Sequence, residues 1–92
     1  FKCIIALKAR CSVVVSPHPS AKKCIAEACR IVAEAAKAAG APEGAVNWLV
    51  DPTLESTQAL MKHRWTSIVL ATGGPGLVEA AYSSGKPAIG VG

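Results

Sequence analysis

The chain has 92 residues, 51% of them hydrophobic and 17% charged, with a net charge of +4. That length makes one domain at most and buries only about 60–65% of the unfolded chain's surface, so stability in isolation is marginal. The composition is too apolar for a disordered segment, and no apolar run approaches the roughly 20 residues that a membrane helix needs. The chain reads as soluble and globular, and as part of a larger protein. It begins at Phe1 with no basic, apolar, small-residue leader, which looks like a cut end, and a cytoplasmic setting is expected. The positive charge favours anionic partners, but Lys22, Lys23, Arg30 and Lys37 fall at helical spacing with Glu27 and Glu34 among them, an ordinary solvated face. With one Tyr, one Phe and two Trp, the aromatic interleaving of single-strand binders is missing, so no nucleic-acid partner is expected, and no membrane partner either.

In chain order, Phe1 to Arg10 holds "CIIALKA", too short for its period to separate strand from helix, and is read as the tail of a helix. "CSVVVSP" is a continuous β-branched run closed by Pro17, the pattern of a strand buried on both faces of a parallel sheet, and is expected to be central. "SAKKCIAEACRIVAEAAKAAGAP" follows, with Ile25, Ala28, Cys29, Val32, Ala36 and Ala39 on one stripe and the charges opposite. Pro19 suits its first turn, and Gly40 with Pro42 supplies the stop. "AVNWLVD" repeats the strand signal, and Asp51 or Thr53 can cap a helix through "LESTQALMKHR", with Leu54, Leu60 and Met61 apolar. "TSIVLATGG" is a third strand, "GLVEAAYSSG" a helix closed by Gly85, and "KPAIGVG" a fourth strand from Pro87. The order βαβαβαβ predicts the α/β class, a three-layer, Rossmann-like parallel sheet with helices on both faces.

Cys3, Cys11, Cys24 and Cys29 form no C-x-x-C pair, and Cys24 and Cys29 stand about 140° apart around a helix. They read as reduced thiols serving as small apolar side chains, with neither a metal site nor a redox pair indicated.

In open parallel sheets, ligands bind outside the carboxyl ends of the strands. Two segments end a strand and open a helix with unusual residues, "SPHP" at 16–19 and "TGGPG" at 72–76. In the second, Gly73 and Gly74 remove the side chains that keep a phosphate from the backbone, and positive φ would turn their N–H groups inward. Pro75 then sets φ for a helix whose unpaired N–H groups would face an anion, a dinucleotide pyrophosphate for example. The alternative is that a tight βα turn simply favours glycine. The stretch is neither a P-loop nor a G-x-G-x-x-G fingerprint. At the first bend His18 could serve as acid, base or ligand, but capping or a backbone hydrogen bond is the simpler role. His63 favours a helix dipole at most, Lys22 and Lys23 are read as solvated rather than phosphate-bound, and Trp48 and Trp65 as packing residues at strand edges rather than an adenine platform.

"SPHPSAKK", "AAGAPEG" and "LATGGPGLVEAAYSSGKPAIGVG" occur in an order and spacing that resembles the coenzyme-A-acylating branch of the aldehyde dehydrogenase superfamily, over essentially the whole chain. The resemblance extends to the aldehyde dehydrogenase half of bifunctional aldehyde-alcohol dehydrogenases. It implies that residues 1–92 are part of an NAD-binding domain, without the catalytic domain. It further implies that Gly73, Gly74, Pro75 and Gly76 form the turn under the cofactor, that Gly92 lies near the nicotinamide side, and that Ser16 and Pro17 lie near the adenosine end. The wider superfamily usually has a lysine where Ser16 stands, and "KHRWTS" departs from the His-Pro-Asp type of sequence before the third strand. The implied activity interconverts acetaldehyde, coenzyme A and NAD with acetyl-CoA and NADH through a low-pKa catalytic cysteine that none of the four cysteines here matches, so this piece alone is expected to be inactive. The implied partners are a small aldehyde and coenzyme A, in a homo-oligomeric parent. Propionaldehyde or another aldehyde as substrate, and a non-catalytic nucleotide- or phosphate-binding module, are the alternatives.

Overall fold

The computed structural model describes residues 1–91. Its elements are α1 (Lys2–Lys8), β1 (Val13–Val15), a 3₁₀ turn (Pro19–Ala21), α2 (Lys22–Ala38), β2 (Val46–Trp48), α3 (Leu54–Lys62), β3 (Val69–Thr72), α4 (Pro75–Tyr82) and β4 (Ala88–Val91). They divide into two units, Phe1–Pro52 and a second beginning at Thr53. The alternation of strand and helix gives the α/β class with parallel pairing that the sequence pattern predicts. β1 pairs with β2 in the first unit and β3 with β4 in the second. The expected helix at the start is α1.

In the first unit, α1 ends on Arg10 at φ +62, with the Arg10 N–H donating to the Leu7 carbonyl and the Cys11 N–H to that of Ala6. This is the two-bond closure that normally uses glycine. α2 closes the same way on Gly40 at φ +102, its N–H donating to Lys37 and that of Ala41 to Ala36. Cys29 and Val46 are buried, and Ile25, Val32 and Ala36 half-buried, as the stripe predicts. Ala28 and Ala39 are exposed instead, and Ala26 and Ala33 take their places, so the buried face is turned toward the other flank of the stripe. On the solvent face Arg30 lies 2.9 Å from Glu34 and also pairs with Glu27. Lys22 meets Asp51 at 3.0 Å. β1 is shorter than the apolar run suggested, and Val14 points outward at 45% exposure.

In the second unit, Thr53 caps α3: its hydroxyl accepts the Ser56 N–H at 3.0 Å while the Ser56 hydroxyl oxygen accepts the Thr53 N–H at 2.8 Å. Met61, Ala71 and Ala81 form a small core, with Val69, Leu77, Ala80 and Ala88 packed on it. Small side chains on this face of the β3–β4 pair let α4 lie close. On the alternate face Ile89 and Val91 are exposed.

Candidate functional site

Two strand-to-helix turns carry the residues singled out from sequence. In the first unit Ser16 is half-buried and Pro17 buried just past the end of β1. His18 caps the 3₁₀ turn: its Nδ1 accepts the Ser20 N–H at 3.2 Å and shares a 2.7 Å hydrogen bond with the Ser20 hydroxyl. The imidazole is thereby used locally, the simpler of the two roles its position offered.

The second turn brings Gly73, Gly74, Pro75 and Gly76 together between β3 and α4. Gly73 has φ +155, a backbone conformation that favours glycine, and a β-carbon there would stand 3.0 Å from Cδ2 of Leu77, which would have to give way slightly. Its N–H donates to the Val91 carbonyl at 3.1 Å, continuing the β3–β4 ladder, and is thus unavailable to a ligand. The expectation of positive φ at both glycines is corrected here: Gly74 is extended, at φ −70 and ψ 165, because it is the N-cap of α4 and must lead into a right-handed helix. The Gly74 carbonyl accepts the N–H groups of Leu77 at 3.1 Å and Val78 at 3.2 Å. Pro75 occupies the first helical turn and brings no N–H.

What remains is the edge of a helix without a lid. α3 satisfies its own N-terminus with Thr53 and Ser56, whereas α4 has no side-chain cap. A β-carbon on Gly74 or Gly76 would meet nothing within 4 Å. The bare Gly74 and Gly76 backbone therefore faces open space at the positive end of the helix, where an anion is favoured by roughly 0.3–1 kcal/mol per charge. Gly92 lies outside the described residues.

Other candidates are less engaged. The Trp48 side chain is half-buried in β2, but Trp65 is 75% exposed with the Arg64 guanidinium 5.1 Å from its ring centre, so it does not pack at a strand edge as expected. His63 ends α3 and accepts the Trp65 N–H through Nδ1 at 3.1 Å. Burial, then the neighbouring Cys3, pushes the Cys29 thiol up, the reverse of what a nucleophile needs. Among the described residues no group of three or more His, Cys, Asp or Glu side chains could hold a metal, and no helix is long and apolar enough to cross a membrane.

A helix start of this kind suits anions in general. The model of the aldehyde dehydrogenase family matches residues 1–88. The chain belongs to the aldehyde dehydrogenase family. It is 54% identical to the bifunctional aldehyde-alcohol dehydrogenase AdhE of Escherichia coli K12 over all of this chain and 10% of that protein. An acetylating aldehyde dehydrogenase of Geobacillus thermoglucosidasius superposes with a TM-score of 0.98 at 63% identity, covering 100% of this chain and 20% of the other. A Rhodopseudomonas palustris propionaldehyde dehydrogenase with bound propionyl-CoA matches at a TM-score of 0.82 and 43% identity, covering 86% of this chain and 18% of that one. This aldehyde dehydrogenase chain thus spans about a tenth of the length of the aldehyde-alcohol dehydrogenases it matches. Two residues of it went unnoticed in sequence: Gly90 and Tyr82, whose hydroxyl oxygen accepts the Gly90 N–H at 3.1 Å. Their only signal was one more glycine in an already glycine-rich tail.

Proposed function

We propose that this chain is the NAD-binding part of a coenzyme-A-acylating aldehyde dehydrogenase, cytoplasmic and homo-oligomeric, that interconverts acetaldehyde, coenzyme A and NAD with acetyl-CoA and NADH. The carrying observation is the uncapped, glycine-bordered N-terminus of α4 just past the carboxyl end of β3. Family membership and similarity to acetylating enzymes support the rest.

When bound, NAD supplies the hydride acceptor. The residues of this chain hold it: the Gly74 and Gly76 backbone offers donors and room to the pyrophosphate, Gly73 makes the turn that presents them, and Pro75 fixes the helix start. Ser16 and Pro17 are assigned to the adenosine side and Gly92 to the nicotinamide side. None of Cys3, Cys11, Cys24 and Cys29 is assigned as nucleophile. That role goes to a cysteine elsewhere in the parent enzyme.

Gly74→Asp in the natively encoded protein tests the cradle. A carboxylate has room there but repels a pyrophosphate. NADH binding should be abolished while the thermal midpoint holds or rises, because Asp is a favoured N-cap at a helix start that has none, and unchanged NADH affinity would remove Gly74 from the site. The similarity to a propionaldehyde dehydrogenase favours a second reading, in which propionaldehyde is the better substrate. Comparing kcat/KM for the two aldehydes decides between them.

A further inference from the structure

We infer that Gly90 is a positioning residue for the α4 cradle, acting through Val78; this rests on the nucleotide-binding reading above. Gly90 lies in β4 opposite Ala71 and under α4. A β-carbon at Gly90 would stand 2.5 Å from Cγ1 of Val78 and 3.2 Å from Cε2 of Tyr82. The first of these is a separation that packed carbon atoms do not reach, and Val78 has a short, stiff, β-branched side chain that cannot swing away. Gly90 has none of the positive φ seen at Gly40, Gly44, Gly73 and Gly85, so its backbone would accept alanine and contact alone demands glycine.

The contact leads directly to the site. Val78 sits in the first turn of α4 and its N–H donates to the Gly74 carbonyl at 3.2 Å. A side chain at position 90 pushes Val78 outward, and Val78 carries with it the Gly74 peptide and the start of the helix. The Gly73 N–H, bonded to Val91, holds the other side of the turn to the sheet. Displacement therefore concentrates between Gly73 and Val78, where the unlidded N–H groups are. Tyr82 holds the far end of α4 on the same strand through its bond to the Gly90 N–H.

A double-mutant cycle in the natively encoded protein tests this, with NADH affinity read by fluorescence titration and thermal unfolding recorded for each variant. Gly90→Ala should weaken NADH binding at least about tenfold, the scale of one lost hydrogen bond to a charged group. In the Val78→Ala background, which removes Cγ1, the same substitution should cost less than about threefold. Wild-type affinity in Gly90→Ala, or an equal loss in both backgrounds, overturns the inference while leaving the nucleotide-binding reading intact. A wild-type protein that does not bind NADH overturns both. If Gly90→Ala does not fold, the double variant decides: folding with NADH affinity within about threefold of Val78→Ala supports the inference, and loss of either overturns it.

Discussion

Thr53 and Asp51 show how a single atom's reach sorts two equivalent-looking candidates. Either could cap the helix that begins at Leu54, but only Thr53 has Ser56 three residues on to return the bond, and the Asp51 carboxylate turns back to Lys22 instead. Thr53→Ala should cost about 1 kcal/mol, because the Ser56 N–H at the start of α3 loses its side-chain acceptor. Asp51→Ala should change stability by less than about 0.5 kcal/mol, since its ion pair is 83% exposed on the carboxylate side. Hydrogen exchange of the α3 amides checks both, and equal protection in the Thr53→Ala variant would show that the box contributes nothing. At α4 no side chain takes Thr53's role, so that helix start, unlike α3's, has no side-chain cap competing with the proposed ligand.

Helix stops separate α1 from α2 although both use the same closure. Gly40 meets the left-handed requirement at little cost, whereas Arg10 at φ +62 carries a β-carbon into a region that penalises it by about 1–2 kcal/mol. Arg10→Gly should therefore raise the thermal midpoint of the natively encoded protein, and an unchanged or lower midpoint would show that the Arg10 side chain stabilises more than its backbone costs. Element order and type were legible from period, caps and glycines, and so was the turn at 72–76. The rotation of α2's buried face toward Ala26 and Ala33 was not, because in an alanine-rich helix small residues flank the stripe on both sides and the sheet chooses between them. Gly90 was equally hidden. Its requirement is a distance to Val78, and that distance exists only once β4 lies under α4.

At the scale of the molecule, burial is thin in each unit. Among the described residues the buried hydrophobic ones are Cys29 and Val46 in the first and Met61, Ala71 and Ala81 in the second. Exposed apolar side chains include Ile4, Ile31 and Val50 in the first, and Trp65, Ile68, Ile89 and Val91 in the second. Burying a large aliphatic side chain contributes about 1.5–3 kcal/mol, while ordering a residue's backbone costs about 1–2 kcal/mol, so cores of this size leave little margin. The 92 residues as an isolated polypeptide should enhance the fluorescence of an apolar dye such as ANS and unfold without a sharp transition. They should also give no aldehyde- and coenzyme-A-dependent rise in NADH absorbance, because a cradle positions a hydride acceptor but contributes no thiolate. The natively encoded enzyme should give that rise. Turnover by the isolated 92 residues would mean that one of Cys3, Cys11 and Cys24 acts as nucleophile, and would reverse the division between holding the cofactor and using it.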